Sequence, residues 1–277
     1  MSQPLFSIVI ANYNYGRFLE AAIQSVLSQS CQDFELIVVD GGSTDNSVEV
    51  IKKYADRIAW WVSTRDGGQS DAFNKGFSHA QGKFLTWLNA DDILMPGALN
   101  AIKDKIIKHP NSKWFVGSSL YVDKQLHITK WFCNHRFSII RARYGFLTCG
   151  GPSSFFAKEL LEKVGGIDEK LHFLMDIDLW YKFYYKCQQK YIRTIAPVFA
   201  YRIHEESKMS GADVDQSDKA RRNRQKAKAE HDLLCERYHI PGTWIRRLAT
   251  FLSFSIVDKI ISLCMMRWYG NKEVYYG

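Results

Sequence analysis

Asp91 and Asp92 are adjacent carboxylates that follow the apolar run Phe84-Leu85-Thr86-Trp87-Leu88 after only Asn89 and Ala90. Two like charges at a strand's carboxyl end repel each other, at a cost unless a cation or hydrogen-bond donors sit between them. Oxygen ligands of this kind suit a hard divalent ion such as Mg2+ or Mn2+, which shares its remaining positions with substrate phosphates. A solvated Asp-Asp helix cap is the competing reading, because Pro96-Gly97 supplies turn and helix-start signals just beyond. Similar polar groups close other apolar runs: Asn12-Tyr13-Asn14, Asp40 and Arg65-Asp66.

The elements that must hold these groups can be read from periodicity. Residues 6–11, 34–39, 58–62 and 84–88 read as buried strands. Between them, residues 17–29 repeat apolar positions at helical spacing. Thr44 or Asp45 can cap a helix running to about Tyr54, and residues 69–80 form a third helix. Strands and helices alternating at this interval imply an α/β fold with a mostly parallel sheet and helices on both faces. The carboxyl ends of such strands share one edge, where ligands bind. Neither the G-x-G-x-x-G fingerprint nor a P-loop follows the first strand, so a nucleotide would need another cradle. Further on, residues 113–122, 126–132 and 192–201 look extended, whereas 157–164 and 176–187 look helical.

Composition narrows the class. A chain of 277 residues with 46% hydrophobic and 24% charged residues suits one large domain, or a domain with an appendage. The six cysteines contain no C-x-x-C pair, and the start of the chain runs directly into a strand; a cytosolic, reduced protein without a signal peptide is the expectation. Net charge is +8, and Lys219 to Lys228 holds six basic residues and no acidic one. No recognition-helix, RRM or zinc-finger signature accompanies that run, which argues against nucleic acid. Residues 216–238 read as a basic helix. Residues 244–269 are apolar but interrupted by charges, unlike a spanning helix. They fit amphipathic helices on an anionic membrane surface, or terminal helices packed on the domain.

Four segments in order resemble a family 2 glycosyltransferase of the GT-A fold: Ile10-Ala-Asn-Tyr-Asn14, Val38-Val-Asp-Gly-Gly-Ser-Thr-Asp45, Asp66-Gly-Gly-Gln-Ser-Asp-Ala-Phe-Asn-Lys-Gly76 leading into Trp87-Leu-Asn-Ala-Asp-Asp92, and Met175-Asp-Ile-Asp-Leu-Trp180. The resemblance covers roughly residues 5–210. It implies a Rossmann-like central sheet in a catalytic domain at 1–215, with a nucleotide half at about 1–110 and an acceptor half at 111–215. A helical extension would then occupy 216–277.

The resemblance also implies roles. Asp92 would hold Mn2+ or Mg2+ and Asp91 the ribose, with Asn89 standing where the family has its first acid. Asp40 would read the base and ribose, and the usual Asp-Asp-Gly-Ser becomes Asp40-Gly41-Gly42-Ser43. Asn12, Tyr13, Asp71 and Lys75 would line the nucleotide. Asp176 would be the base that an inverting transfer needs, and Asp178 would orient the loop or bind acceptor. Arg202 and His204, in an R-x-H-x-x-S element, would hold diphosphate or complete the metal's coordination. The implied partners are a nucleotide-diphosphate sugar, UDP-linked by expectation, and a glycan or polyprenol-linked acceptor in cell-surface polysaccharide synthesis at the inner membrane face. The departures at Gly41, Asn89 and Met175 leave a second reading, a non-catalytic nucleotide-sugar-binding protein that keeps the fold.

Overall fold

The computed structural model describes residues 3–144, 147, 149–205, 207, 218–241 and 274. Four strands build the first half of the sheet: β1 (Phe6–Asn12), β2 (Phe34–Asp40), β3 (Trp60–Ser63) and β4 (Phe84–Asn89). They lie parallel in the order β3-β2-β1-β4. Their apolar runs suit strands covered on both faces. The covering helices are α1 (Gly16–Leu27), α2 (Ser47–Lys53) and α3 (Gln69–His79). Leu19, Ala22, Ile23 and Val26 of α1 form the buried stripe that 3.6-residue periodicity predicts. The Asp45 carboxylate ties two helix starts together, accepting the amides of Gly16 and Ser47 at 2.9 and 3.0 Å.

The second half departs from strict alternation. A two-residue strand β5 (Ile93–Leu94) leads into α4 (Ala98–Lys108), followed by β6 (Trp114–Val122), β7 (Ile128–Phe132) and a short α5 (Ile139–Arg143). The stretch after residue 150, expected only to precede a helix, contains β8 (Ser154–Ala157) before α6 (Lys158–Val164). β8 runs antiparallel between β4 and β6 and joins the two halves into one nine-stranded sheet. Four residues are too few to show a period, which is why sequence pattern missed it. Then come α7 (Met175–Tyr181), extended by a π turn at Lys182–Lys186, β9 (Ile192–Arg202) and α8 (Asp218–Arg237).

β9 pairs parallel with β6 and antiparallel with β5, which carries its end to the loop holding Asp91 and Asp92. Trp180 of α7 stacks against Trp87 of β4 at 5.7 Å and Trp114 of β6 at 5.1 Å, and its Nε1–H donates to the Cys149 carbonyl. Burial of that ring fixes α7 across the β4–β8–β6 seam.

The basic helix α8 does not simply face outward. Leu234, Tyr238 and Ile240 are buried against the domain, whereas Arg221, Arg222, Arg224, Lys226 and Lys228 remain exposed. Among the described residues no helix is long and apolar enough to cross a membrane. The amphipathic segment expected at 244–269 lies outside the described residues.

Candidate active site

Parallel register sets Asn12, Asp40 and Ser63 side by side at the carboxyl ends of β1, β2 and β3. Asp40 is completely buried. Its Oδ1 accepts from Asn12 Nδ2 at 2.6 Å and Ser43 Oγ at 2.5 Å. Its Oδ2 accepts from Ser63 Oγ at 2.6 Å and from the Ser43 and Gly42 amides at 2.9 and 3.2 Å. Burial pushes the carboxyl up, but the hydrogen bonds outweigh it and hold Asp40 below the ordinary carboxylate range. These bonds set the Asp40 carboxylate at the strand-end turn, at the edge where it was expected to read base and ribose. Asn12 is buried beside it, its amide nitrogen donating to Asp40 and Ser43. Tyr13, one residue on, leaves 60% of its surface exposed at the same edge.

The β4 end shows the same contrast between neighbours. Asp92 is fully buried, its Oδ2 accepting from Asn89 Nδ2 at 2.7 Å and its Oδ1 from the Arg202 amide at 3.1 Å. Burial, then the Asp91 charge, push the Asp92 carboxyl well up. Asn89, standing where an acid was expected, also accepts from Gln69 Nε2 at 2.6 Å, so it bridges α3 to Asp92. The Asp91 side chain keeps 16% exposure, and its Oδ2 lies 3.0 Å from His204 Nε2. The two acids differ in access: the Asp91 side chain keeps an opening, whereas Asp92 and the His204 ring are enclosed behind it.

His204 is held in place by Phe18 and Tyr15, with ring centroids 4.6 and 5.7 Å away. The buried Arg202 guanidinium lies 4.9 Å from the centre of the same Phe18 ring. Asp71 accepts the Gly67 amide at 2.8 Å and closes the loop that opens α3, with Lys75 half-buried one turn later. Among the described residues no three His, Cys, Asp or Glu side chains gather into a self-sufficient metal site. One carboxylate and one imidazole are nonetheless a partial donor set that Mg2+ or Mn2+ completes with phosphate and water oxygens.

On α7 the spacing separates two acids. Asp176 and Trp180 are four residues apart and share a face, toward β4 and β8. Asp176 is half-buried, and its Oδ1 accepts the Ile177 amide at 2.8 Å. Burial pushes its carboxyl up to about 6, against the lowering effect of the Ile177, Asp176 and Gly151 amides. Asp178 points elsewhere and is fully buried. It accepts from Arg237 and Tyr238 at 2.7 Å each and pairs with Lys182 Nζ at 3.0 Å. Those contacts suit the loop-orienting alternative expected for Asp178.

These groups from α8 had no signal in the sequence pattern. Glu230 is another, accepting the amides of His172, Phe173 and Leu174 at 2.8–2.9 Å just ahead of Asp176.

Residues 7–165, more than half of the chain, match the family model described as glycosyl transferase family 2. The chain belongs to glycosyltransferase family 2. It is 30% identical over 191 residues to an uncharacterized glycosyltransferase of Rickettsia prowazekii, covering 65% of this chain and 59% of the relative. It is 39% identical over 97 residues to a PGL/p-HBAD biosynthesis glycosyltransferase of Mycobacterium bovis, covering 34% and 38%. The family 2 chain thus spans less than two thirds of the length of these curated relatives. Among solved structures, it is similar to S. aureus TarS 1–349 in complex with UDP-GlcNAc, with a TM-score of 0.59, 15% identity, and coverage of 95% and 80%. The mannosyltransferase PcManGT from Pyrobaculum calidifontis, in complex with GDP-Man and Mn2+, gives 0.58 and 17%, covering 97% and 81%. At these identities the likeness speaks for the fold, which is GT-A.

Proposed function

We propose that this family 2 chain transfers a sugar from a nucleotide-diphosphate sugar to a hydroxyl acceptor with inversion at the anomeric carbon. The reading is carried by the arrangement of two unlike carboxylates: Asp91, reachable beside His204 at the end of β4, and Asp176, half-buried on α7 with its basicity raised. Asp176 takes the proton from the acceptor hydroxyl as that oxygen attacks the anomeric carbon. The bond from that carbon to the diphosphate oxygen breaks, and the nucleoside diphosphate leaves with the bonding pair. Asp91 and Asp92, with His204 beside them, would hold Mn2+ or Mg2+, which when bound offsets charge on the departing diphosphate. Tyr13 offers its exposed ring to the base, Lys75 lies one turn inside α3, and Arg202 backs the phosphate side through its place beside His204. The nucleotide sugars bound by TarS and PcManGT support the donor class, and the Mn2+ in PcManGT supports the cation. A glycan or lipid-linked acceptor met at the inner membrane face completes the proposal.

A transfer and donor-hydrolysis screen with UDP, GDP and dTDP sugars tests this reading. Turnover should appear with one donor class in Mn2+ or Mg2+ and should be abolished by EDTA. Metal-linked nucleotide binding without turnover across the panel would instead favour the non-catalytic binding protein.

A further inference from the structure

An open groove of about 700 Å3 lies between the end of α5, the π turn after α7 and the end of α8. Lys182, one turn after Asp178, lines it, so the groove opens on the α8 side of α7 and not on the face of Asp176 and Trp180. Its lining holds Arg143, Lys182, Lys186 and Arg237 and no Asp or Glu. Two of these cations are compensated from behind. Lys182 pairs with Asp178 at 3.0 Å, and Arg237 pairs with Asp178 at 2.7 Å and Asp168 at 2.9 Å. Arg143 and Lys186 are exposed and have no carboxylate partner among the described residues. Four cations against two carboxylates leave two positive charges over. An anion is the occupant that this surplus selects, and an Arg beside a Lys suits phosphate oxygens.

The rim says what the anion is attached to. Ile139 and Ile140 stand one turn before Arg143 on α5 and leave 46% and 52% of their surface exposed. One exposed isoleucine is ordinary, but an adjacent pair at the rim of a basic groove sets an apolar step beside an anion site. Tyr185 donates its hydroxyl to the Ala142 carbonyl at 3.3 Å, which holds α5 to the groove. Tyr144, Tyr185 and Tyr238 wall it with rings apolar in body and polar at the tip, side chains suited to a boundary between water and lipid. We propose that this groove binds the phosphate headgroup of an anionic lipid, with Arg143 and Lys186 on the phosphate and Ile139 and Ile140 entering the acyl boundary. The basic run on the exposed face of α8 attracts anionic surfaces of any shape, whereas the groove adds a site of defined shape. This binding needs neither nucleotide nor metal, and it stands apart from the sugar-transfer reading.

Flotation of the full chain with phosphatidylcholine vesicles, containing or lacking phosphatidic acid, tests the assignment, with thermal melting as the fold control. Native protein should float with the phosphatidic acid vesicles and stay behind with phosphatidylcholine alone. Arg143→Gln with Lys186→Gln, two exposed positions, should melt like native protein and bind the anionic vesicles roughly 10- to 30-fold more weakly. Arg221→Gln with Arg222→Gln removes the same charge from α8 outside the groove and should cost less than about threefold. Ile139→Ser with Ile140→Ser should weaken vesicle binding about tenfold. Glycerol phosphate at the same phosphate concentration should not release the bound protein. The assignment fails if native protein does not float with phosphatidic acid vesicles, if the folded Arg143/Lys186 variant floats as native protein does, or if the Arg221/Arg222 variant loses as much. If glycerol phosphate releases the protein and the isoleucine variant binds like native, the groove takes a free phosphate ester and the lipid assignment is overturned.

Discussion

The two sides of the cleft are built in opposite ways. On the side proposed for the nucleotide, backbone pairing in the sheet gathers the groups: Asn12, Asp40 and Ser63 meet through strand register, and Asn89 and Asp92 meet Arg202, 110 residues on, through the pairing of β5 with β9. On the side proposed for the acceptor, α7 is held by side chains of a docked helix rather than by sheet pairing. Glu230 takes three amides before Asp176, and Arg237 and Tyr238 take Asp178, all from 56 to 60 residues away along the chain. The difference separates two jobs. In the proposed function, sheet edges place rigid groups for the nucleotide, whereas a docked helix sets the single base, Asp176. The helix whose composition reads only as basic is, on its domain-facing side, the clamp for α7.

Breaking the clamp should therefore damage the two sides unequally. The largest effect on stability should come from Asp178→Ala, which empties a fully buried position and leaves Lys182 only the Gly166 carbonyl and Arg237 only Asp168 among the partners described for them. Removing one partner of a buried ionic network costs about 3–5 kcal/mol, measurable by urea unfolding, and a loss below about 1 kcal/mol would mean that α8 does not brace α7. Glu230→Ala should have a smaller stability cost of about 1–3 kcal/mol, since three exposed or half-buried amides can turn partly to water. Its effect on the comparison is sharper in kinetics: turnover should fall roughly 10- to 100-fold while nucleotide affinity holds, because only α7 shifts. Glu230→Gln should recover part of that turnover. Equal losses of nucleotide affinity and turnover would erase the distinction between the two sides.

Much of the nucleotide half was legible in the sequence, because buried strands and amphipathic helices repeat with periods long enough to see. The alternation from β1 to β4 and the clustering of polar residues at strand ends follow from that pattern. Which of two adjacent residues meets the cleft was not legible. Successive side chains of extended chain point to opposite faces, so a slip of one residue exchanges buried for exposed. Two neighbouring pairs have this form: Asn12 and Asp92 are buried, whereas Tyr13 and Asp91 beside them in the chain keep exposure at the strand ends. β5 and β8 were too short to show a period. The clamp residues were hidden for another reason, since Glu230 sits next to a basic run and nothing local marks its distant partners.

The central claim is that Asp176 is the base, kept reactive by burial on a face fixed by Trp180. The most direct test is the pH profile of single-turnover sugar transfer at saturating donor, for native protein and Asp176→Asn. The carboxylate is the working form and its pKa is raised to about 6, so the native rate should climb as pH rises through that value and level off above it. Asp176→Asn should be slower by roughly 10²–10⁴-fold, should lose the limb near pH 6, and should still bind nucleotide. Near-normal turnover in Asp176→Asn, or a native profile flat across pH 5–7, would contradict the account.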